Sequence, residues 1–346
     1  YLKTPRAYKQ IVIKECSVFP EGNLYPFTLP AVGYAGIAFR NPEQAPHVRK
    51  QMRKLIDLAI PQAVLIVTPP ENDLMKLETY QKHATYLGML NYTLGCYRMA
   101  GGGNQYDRLH NHISKILRQA IEKRDSLPIE SYPTYSWTFD TILALASLDL
   151  HDRIYETVRT QPLIQKHLNW IQTHCTDKKT GLPYSICEKP PNSATAPPRG
   201  CDLSFRICLL HQIAPERAAH LYTKYIAAHW LDKGLISGFS EWPGGKRMRS
   251  DIDSGPVVMG IGLTATGVGI ATCRTMDDRD RFALLCNQLQ AAEPLIRFIG
   301  TGDITQRIGI EKWFKRNNLR MDSEYFSGFL FGDATLFFAL SWEKAP

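Results

Sequence analysis

The sequence contains no CxxC pair, no GxSxG elbow, no glycine-rich loop ending in GKS or GKT and no pair of histidines at i, i+4. These absences remove zinc ribbons and thioredoxin-like redox sites, serine-hydrolase elbows, P-loops and helix-borne zinc pairs. His110 and His112 lie two apart, on different faces of a helix, and Gly101 to Gly103 read as the turn that ends one. Basic residues never run beyond three, so the charge of +8, from 41 Lys and Arg against 33 Asp and Glu, carries no nucleic-acid signature. It suits acidic substrates, an anionic lipid surface or simple solubility. The longest uncharged run, Ser254 to Cys273, is about long enough to cross a bilayer. Five glycines, three threonines and a proline within it predict a buried helix instead. Low-complexity tracts are also missing. With 346 residues, 44% of them apolar and 21% charged, the chain can bury a large core without staples. Of its eight cysteines, Cys175 and Cys187 flank a turn at disulfide-forming distance in sequence, whereas most of the eight read as small buried thiols.

What is present is helical periodicity. Apolar residues recur at helical spacing over approximately 43–60, 76–99, 104–124, 136–151, 161–175, 201–213, 215–230, 256–275, 278–298 and 325–342, with Gly, Pro and Asn clusters between. Ile11 to Ile13 and Val64 to Val67 are the candidate short strands. The helices come in pairs, the first apolar and rich in small residues (86–95, 142–148) and the second amphipathic and charged (108–123). Trp170, Ile171, His174, Asp177 and Lys178 recur 55 residues later as Tyr225, Ile226, His229, Asp232 and Lys233, and each set precedes Gly-Leu. A period of one helical hairpin, with a short helix at 31–39 completing six, predicts an all-α (α/α)6 toroid over residues 31–346. Residues 1–30 then form an extension packed on the barrel, and function is expected where the loops entering the inner helices converge on the central cavity.

Those loops hold the candidate chemistry. Tyr132, Tyr135, Trp137 and Asp140 enter the third hairpin, with Asp140 one turn into a helix of Ile, Leu and Ala, where a carboxylate is costly unless paired or used. Tyr184, Glu188, Arg199, Asp202 and Arg206 enter the fourth, and Asp202 and Arg206 are spaced to pair with each other. Glu241, Trp242, Arg249, Asp251 and Asp253 precede Pro256, where Asp253 or Ser254 equally suits a helix cap. Two of the acids facing each other would form a general acid and base: Asp140 with Asp251 or Asp253, and Glu241 and Glu188 in reserve. Trp137, Trp242, Tyr132, Tyr135 and Tyr184 are the candidate stacking platforms for sugar rings or walls for an apolar ligand, and Arg206 and Arg249 the candidate anchors for an acidic group. Structural readings compete at each position: Asp140 as an amide or Arg partner, and the aromatics as packing. No metal-ligand spacing appears and no organic cofactor is implied.

Over roughly residues 80–300 the chain resembles linalool dehydratase/isomerase and its relatives. The similarity rests on Tyr86 to Tyr97 followed by Tyr106, on Asn169 to Gln172 with Asp177 and Gly181, and on Gly260 to Thr266 before a helix ending at Glu293 and Pro294. The resemblance implies an (α/α)6 barrel, and an exported relative implies a periplasmic or secreted location. Where the family has a catalytic His and two Cys, this chain has Met89, Ser131 and Asp140, so the family's catalytic set is not retained.

These observations lead to an enzyme using carboxylate acid–base catalysis on a glycan, by hydrolysis or elimination, through analogy with other six-hairpin toroids. The rivals are a lyase of small apolar alcohols and a non-catalytic toroid that binds carbohydrate or protein. A chain opening on Tyr1 rather than Met is compatible with a removed segment, which could hold the protein near a membrane. Oligomeric state is not encoded in any motif.

Overall fold

The computed structural model describes residues 4–68, 72–125, 127–133, 135–187, 196–246, 248, 250–299, 310–322 and 325–346, with the backbone alone for residues 292–299 and 311. The described helices are α1 (Pro5–Cys16), α2 (Tyr25–Arg40), α3 (Ala45–Val67), α4 (Ala84–Met99), α5 (Asp107–Lys123), α6 (Thr138–Ile154) and α7 (Gln161–His174). They continue as α8 (Gly200–Ile213), α9 (Pro215–His229), α10 (Leu263–Thr275), α11 (Arg279–Ile299), α12 (Ile310–Arg316) and α13 (Leu330–Ser341). Two small antiparallel hairpins, β1 (Trp230–Asp232) with β2 (Ser237–Phe239) and β3 (Val257–Val258) with β4 (Ile261–Gly262), complete the set.

Six helices form a closed inner ring, each touching the next: α2, α4, α6, α8, α10, α13 and back to α2. Helices apolar on all faces have to be buried on all faces, and from Ala84 to Tyr97 every residue of α4 is buried. Amphipathic helices coat the ring: α3 covers α2 and α4, α5 covers α4 and α6, and α7, α9 and α11 cover α6, α8 and α10. Against α13 the outer place is taken by α1, which also touches α3. The architecture is thus an (α/α)6 toroid. Residues 31–39 belong to an inner helix that begins at Tyr25, and the chain's first helix packs outside the last.

Closure brings α2 against the end of α13 so tightly that a Cβ at Gly36 would collide with the Ser341 carbonyl. Arg40 donates to that same carbonyl at 3.1 Å, while Arg274 donates to the carbonyls of Ala339, Leu340 and Trp342. Cationic side chains at unpaired C-terminal carbonyls offset the negative end of the helix. Within the ring, Asn91 of α4 ties Ser114 of α5 to Ser147 of α6 at 3.0 and 2.9 Å, which satisfies its amide without water.

The internal repeat has a structural meaning. Each copy ends an outer helix, α7 at His174 and α9 at His229, and turns the chain back inward. In the first copy Asp177 accepts from the Thr180 amide, in the second Asp232 accepts from the Gly234 amide, and Gly181 and Gly234 take positive φ values of 68° and 78°. Cys175, just after the first copy's His174, is joined to Cys187 in a disulfide, and the six remaining cysteines are free thiols.

Three local expectations are corrected. Ile11 to Ile13 lie within α1 and Val64 to Val67 within α3, because short β-branched runs follow the helix that surrounds them. The uncharged run after Ser254 is not helical throughout. Gly255, Met259 and Gly260 take positive φ, forming a β3–β4 hairpin before α10 starts at Leu263. Among the described residues, no helix is long and apolar enough to cross a membrane.

Candidate functional site

The inner helices deliver their N-terminal ends to one cavity, and every one of them contributes to its wall. Glu21 comes from the turn ahead of α2, Tyr25 and Leu29 from its first two turns, Thr85 from α4, and Trp137, Phe139 and Asp140 from α6 and its entry. Arg199, Cys201, Asp202 and Phe205 come from α8, Asp253 and Thr264 from the α10 approach, and Phe331 and Thr335 from α13. Helix N-termini carry a partial positive charge and free amides, so carboxylates gather there at less cost than elsewhere in a core.

Asp140 is 4% exposed and accepts a 2.7 Å hydrogen bond from the Thr85 hydroxyl. Burial pushes its carboxyl up to about 7; the Ser131 and Thr85 hydroxyls pull against this, and the charges of Glu21 and Asp202 add to it. Glu21 accepts from the Tyr132 hydroxyl, and burial raises its carboxyl despite that bond. Asp253 is raised well above the ordinary aspartate range, first by burial and then by the nearby charges of Glu21 and Asp251. None of these three forms an ion pair among the described residues.

A second group of residues is fully committed to its own structure. The Arg199 guanidinium lies 5.4 Å from the ring centres of both Trp137 and Trp242, donating to Glu241 at 2.6 Å and to Asp251 at 2.6 Å. Glu241 is wholly buried and also accepts from the Cys201 amide at 3.1 Å. Burial raises its carboxyl, with Arg199 opposing. Burial would also raise Asp251, but Arg199 overrides it and holds that carboxyl below the usual range; Asp251 further accepts from the Ser254 amide at 3.0 Å. Asp202 and Arg206 form the expected i, i+4 pair through two 2.9 Å hydrogen bonds, and Arg206 also donates to Thr138 at 2.6 Å.

The structure therefore sorts the sequence candidates. Asp140, Asp253, Trp137 and Asp202 stand on the cavity wall. Glu241 and Asp251 hold Arg199 rather than facing Asp140, because a buried guanidinium needs carboxylate partners. The cap expected at Asp253 or Ser254 is instead an Asp251–Ser254 turn ahead of the β3–β4 hairpin. Trp242 is 7% exposed, lies against Arg199 and is not on the wall, so it offers no platform. Tyr184 packs on the Cys175–Cys187 disulfide, and Tyr135 is 54% exposed and away from the wall. Arg206 is consumed by Asp202 and does not anchor an acidic group. Glu188 and Arg249 lie outside the described residues.

Glu21, Tyr25, Thr85 and Phe331 were not singled out by sequence. For Glu21 the signal existed: it lies between Pro20 and Gly22 just ahead of an apolar inner helix, on a loop entering the ring as Asp251 and Asp253 do. Gly22 permits the tight turn that presents it, since a Cβ there would collide with the Cys16 carbonyl.

No family model matches the chain. Solved structures do. The α-1,6-mannanase GH76A of Salegentibacter sp. HEL1_6 aligns with a TM-score of 0.56 at 9% identity, covering 98% of each chain. A family 105 glycoside hydrolase of C. acetobutylicum ATCC 824 gives 0.55 at 13%, again over 98% of both. The family 76 mannosidase Bt3792 of Bacteroides thetaiotaomicron gives 0.50 at 10%, over 98% of this chain and 96% of that one. These findings overturn the resemblance to linalool dehydratase/isomerase. The motifs behind it are hairpin signatures, set by helix packing and turns, which unrelated toroids share. At such identities the likeness establishes the fold: this chain is similar over nearly its whole length to toroids known as glycoside hydrolases.

Proposed function

We propose that this protein is a glycoside hydrolase-like enzyme acting on a neutral glycan in the central cavity. The observation that carries the reading is the gathering of Glu21, Asp140 and Asp253 on one wall system, none held by an ion pair among the described residues, beside the aromatic surfaces of Trp137, Phe139 and Phe205. Asp140 is buried and Glu21 and Asp253 are half-buried, and carboxyls held out of water without a cation are characteristic of acid–base sites. Arg199, the arginine of the described wall, is already engaged by Glu241 and Asp251, so the described cavity presents no free cation to a uronate.

Asp140, neutral below about pH 7, donates its proton to the glycosidic oxygen. The base is Glu21, whose ionised form accepts from the Tyr132 hydroxyl and whose charge helps to raise Asp253. That carboxylate takes the proton of a water whose oxygen bonds to the anomeric carbon as the glycosidic C–O bond breaks, giving a sugar and an alcohol.

The second reading is a glycan-binding toroid without turnover. The inactive variants of the Salegentibacter mannanase, solved with α-1,6-mannotriose and α-1,6-mannotetrose, have two adjacent aspartates replaced. In this chain the adjacent aspartates are Asp277 and Asp278, at the α10–α11 turn, where Tyr222 and Arg281 bond Asp278. The test is release of reducing ends from α-1,6-mannotetraose and a panel of neutral aryl glycosides. Wild type should turn over at least one, and Asp140→Asn should lower kcat by at least ~100-fold while remaining folded. Binding without turnover by wild type would move the protein to the second reading. Undiminished turnover by Asp140→Asn would remove Asp140 as donor.

A further inference from the structure

The acid-lined cavity includes Thr264, Phe331 and Thr335 in its wall. These three side chains also line a second cavity, lying between α10 and α13. It holds about 390 Å³, against about 100 Å³ in the first, and falls in the size range of sites for small organic ligands. Ile236, Val258, Ile261, Ile270, Leu289 and Leu336 give it an apolar lining, and Leu263, 44% exposed, carries that lining out to solvent. Two of its polar members satisfy each other: the Ser237 amide donates to Gln288 at 2.6 Å, and the Gln288 side chain donates to the Ser237 carbonyl at 3.1 Å.

Gly267 supplies an independent observation. It lies inside α10 and lines this cavity, and a Cβ built on it would meet no heavy atom within 4 Å. Neither a positive φ nor a close neighbour calls for glycine there, and glycine is among the weakest helix formers. Its effect is to leave the cavity open at mid-helix.

Resting on the reading of the central cavity as a glycoside site, we infer that the substrate is amphiphilic: a sugar seated among Glu21, Asp140 and Asp253, whose glycosidic oxygen carries an alkyl or similar apolar chain into the cavity beside Gly267. The two cavities share Phe331 and differ in their acids, with Glu21, Asp140, Asp202 and Asp253 in the first and a mainly apolar surface in the second. Hydrolysis would then liberate an apolar alcohol.

The experiment is calorimetric binding of methyl and octyl α-D-mannopyranoside to the full chain, with the octyl glycoside below its micelle concentration and 1-octanol as the sugar-free probe. Each methylene removed from water tightens binding about fourfold, so the octyl glycoside should bind at least ~100-fold tighter than the methyl glycoside. Gly267→Phe, which fills the space from a helical position, should abolish that advantage while leaving the weak methyl glycoside binding unchanged and the thermal unfolding midpoint no lower. Equal affinity for the two glycosides in wild type, or an octyl advantage that survives Gly267→Phe, overturns the inference. So does 1-octanol binding as tightly as the octyl glycoside, because the sugar is then not read. An octyl advantage that depends on Gly267 without hydrolysis upholds it, and refutes the catalytic reading alone.

Discussion

Asp140→Asn should stabilise the protein, and by an amount that depends on pH. In the unfolded chain this carboxyl ionises near 3.8, and in the folded protein near 7, a difference of about three pH units or ~4 kcal/mol. Below pH 3.8 both states hold the proton and the group contributes nothing. Between 3.8 and 7 the folded state binds more protons than the unfolded state, so stability falls as pH rises. Above 7 the full cost is present. Because the side chain is 4% exposed, solvent screening does little to reduce it. Asparagine never ionises, and its amide oxygen can still accept the 2.7 Å bond from Thr85. Urea unfolding of both proteins at pH 4, 5.5, 7 and 8 should therefore show a stability gap that widens with pH by up to ~4 kcal/mol, at an unchanged m-value. The same ionisation should set the alkaline limb of kcat/KM, since a donor that has lost its proton cannot protonate the leaving oxygen. A gap that stays constant from pH 4 to 8 would refute the reasoning, because it would mean that Asp140 ionises alike in both states.

Two further outcomes follow from the supporting structure. Arg199→Met leaves the wholly buried Glu241 without its cation and should destabilise by ~3–5 kcal/mol in denaturant unfolding, and Glu241→Gln added to it should restore a large part of that loss. Recovery of nothing in the double variant would show that Arg199 acts through Trp137 and Trp242 instead. The Cys175–Cys187 disulfide closes a loop with a sequence separation of 12, so replacing both cysteines with serine should cost ~3 kcal/mol on the loop-entropy account. An unfolding midpoint indifferent to that change and to reductant would remove the disulfide from the stability of the α7 turn.

Much of the fold was legible because it rests on local pattern. Alternation of all-apolar and amphipathic helices dictates two layers, and the repeat at Trp170 and Tyr225 gives the stride that makes a ring of six. Helix periodicity is a property of neighbours three and four apart, so it survives in the sequence without knowledge of the partner. The site was only partly legible. Asp140 stood out because a carboxylate inside an apolar helix is costly wherever that helix goes, and the Asp202–Arg206 pair because both residues share one helix face.

Sequence alone thus determined the helical layers, the hairpin period and the presence of carboxylates at the entrances to inner helices. Only tertiary structure decided which acids form no ion pair among the described residues. Glu241 and Asp251 look no different in sequence from Asp253, yet Arg199, folded between two indoles, claims the first two and leaves the third facing Glu21 from the far end of the chain. Closing the ring sets the α10 approach beside the entry to α2, across more than two hundred residues, and no local periodicity records that meeting. Electrostatic partnership depends on distances of a few ångströms through space, and those exist only once the toroid is shut.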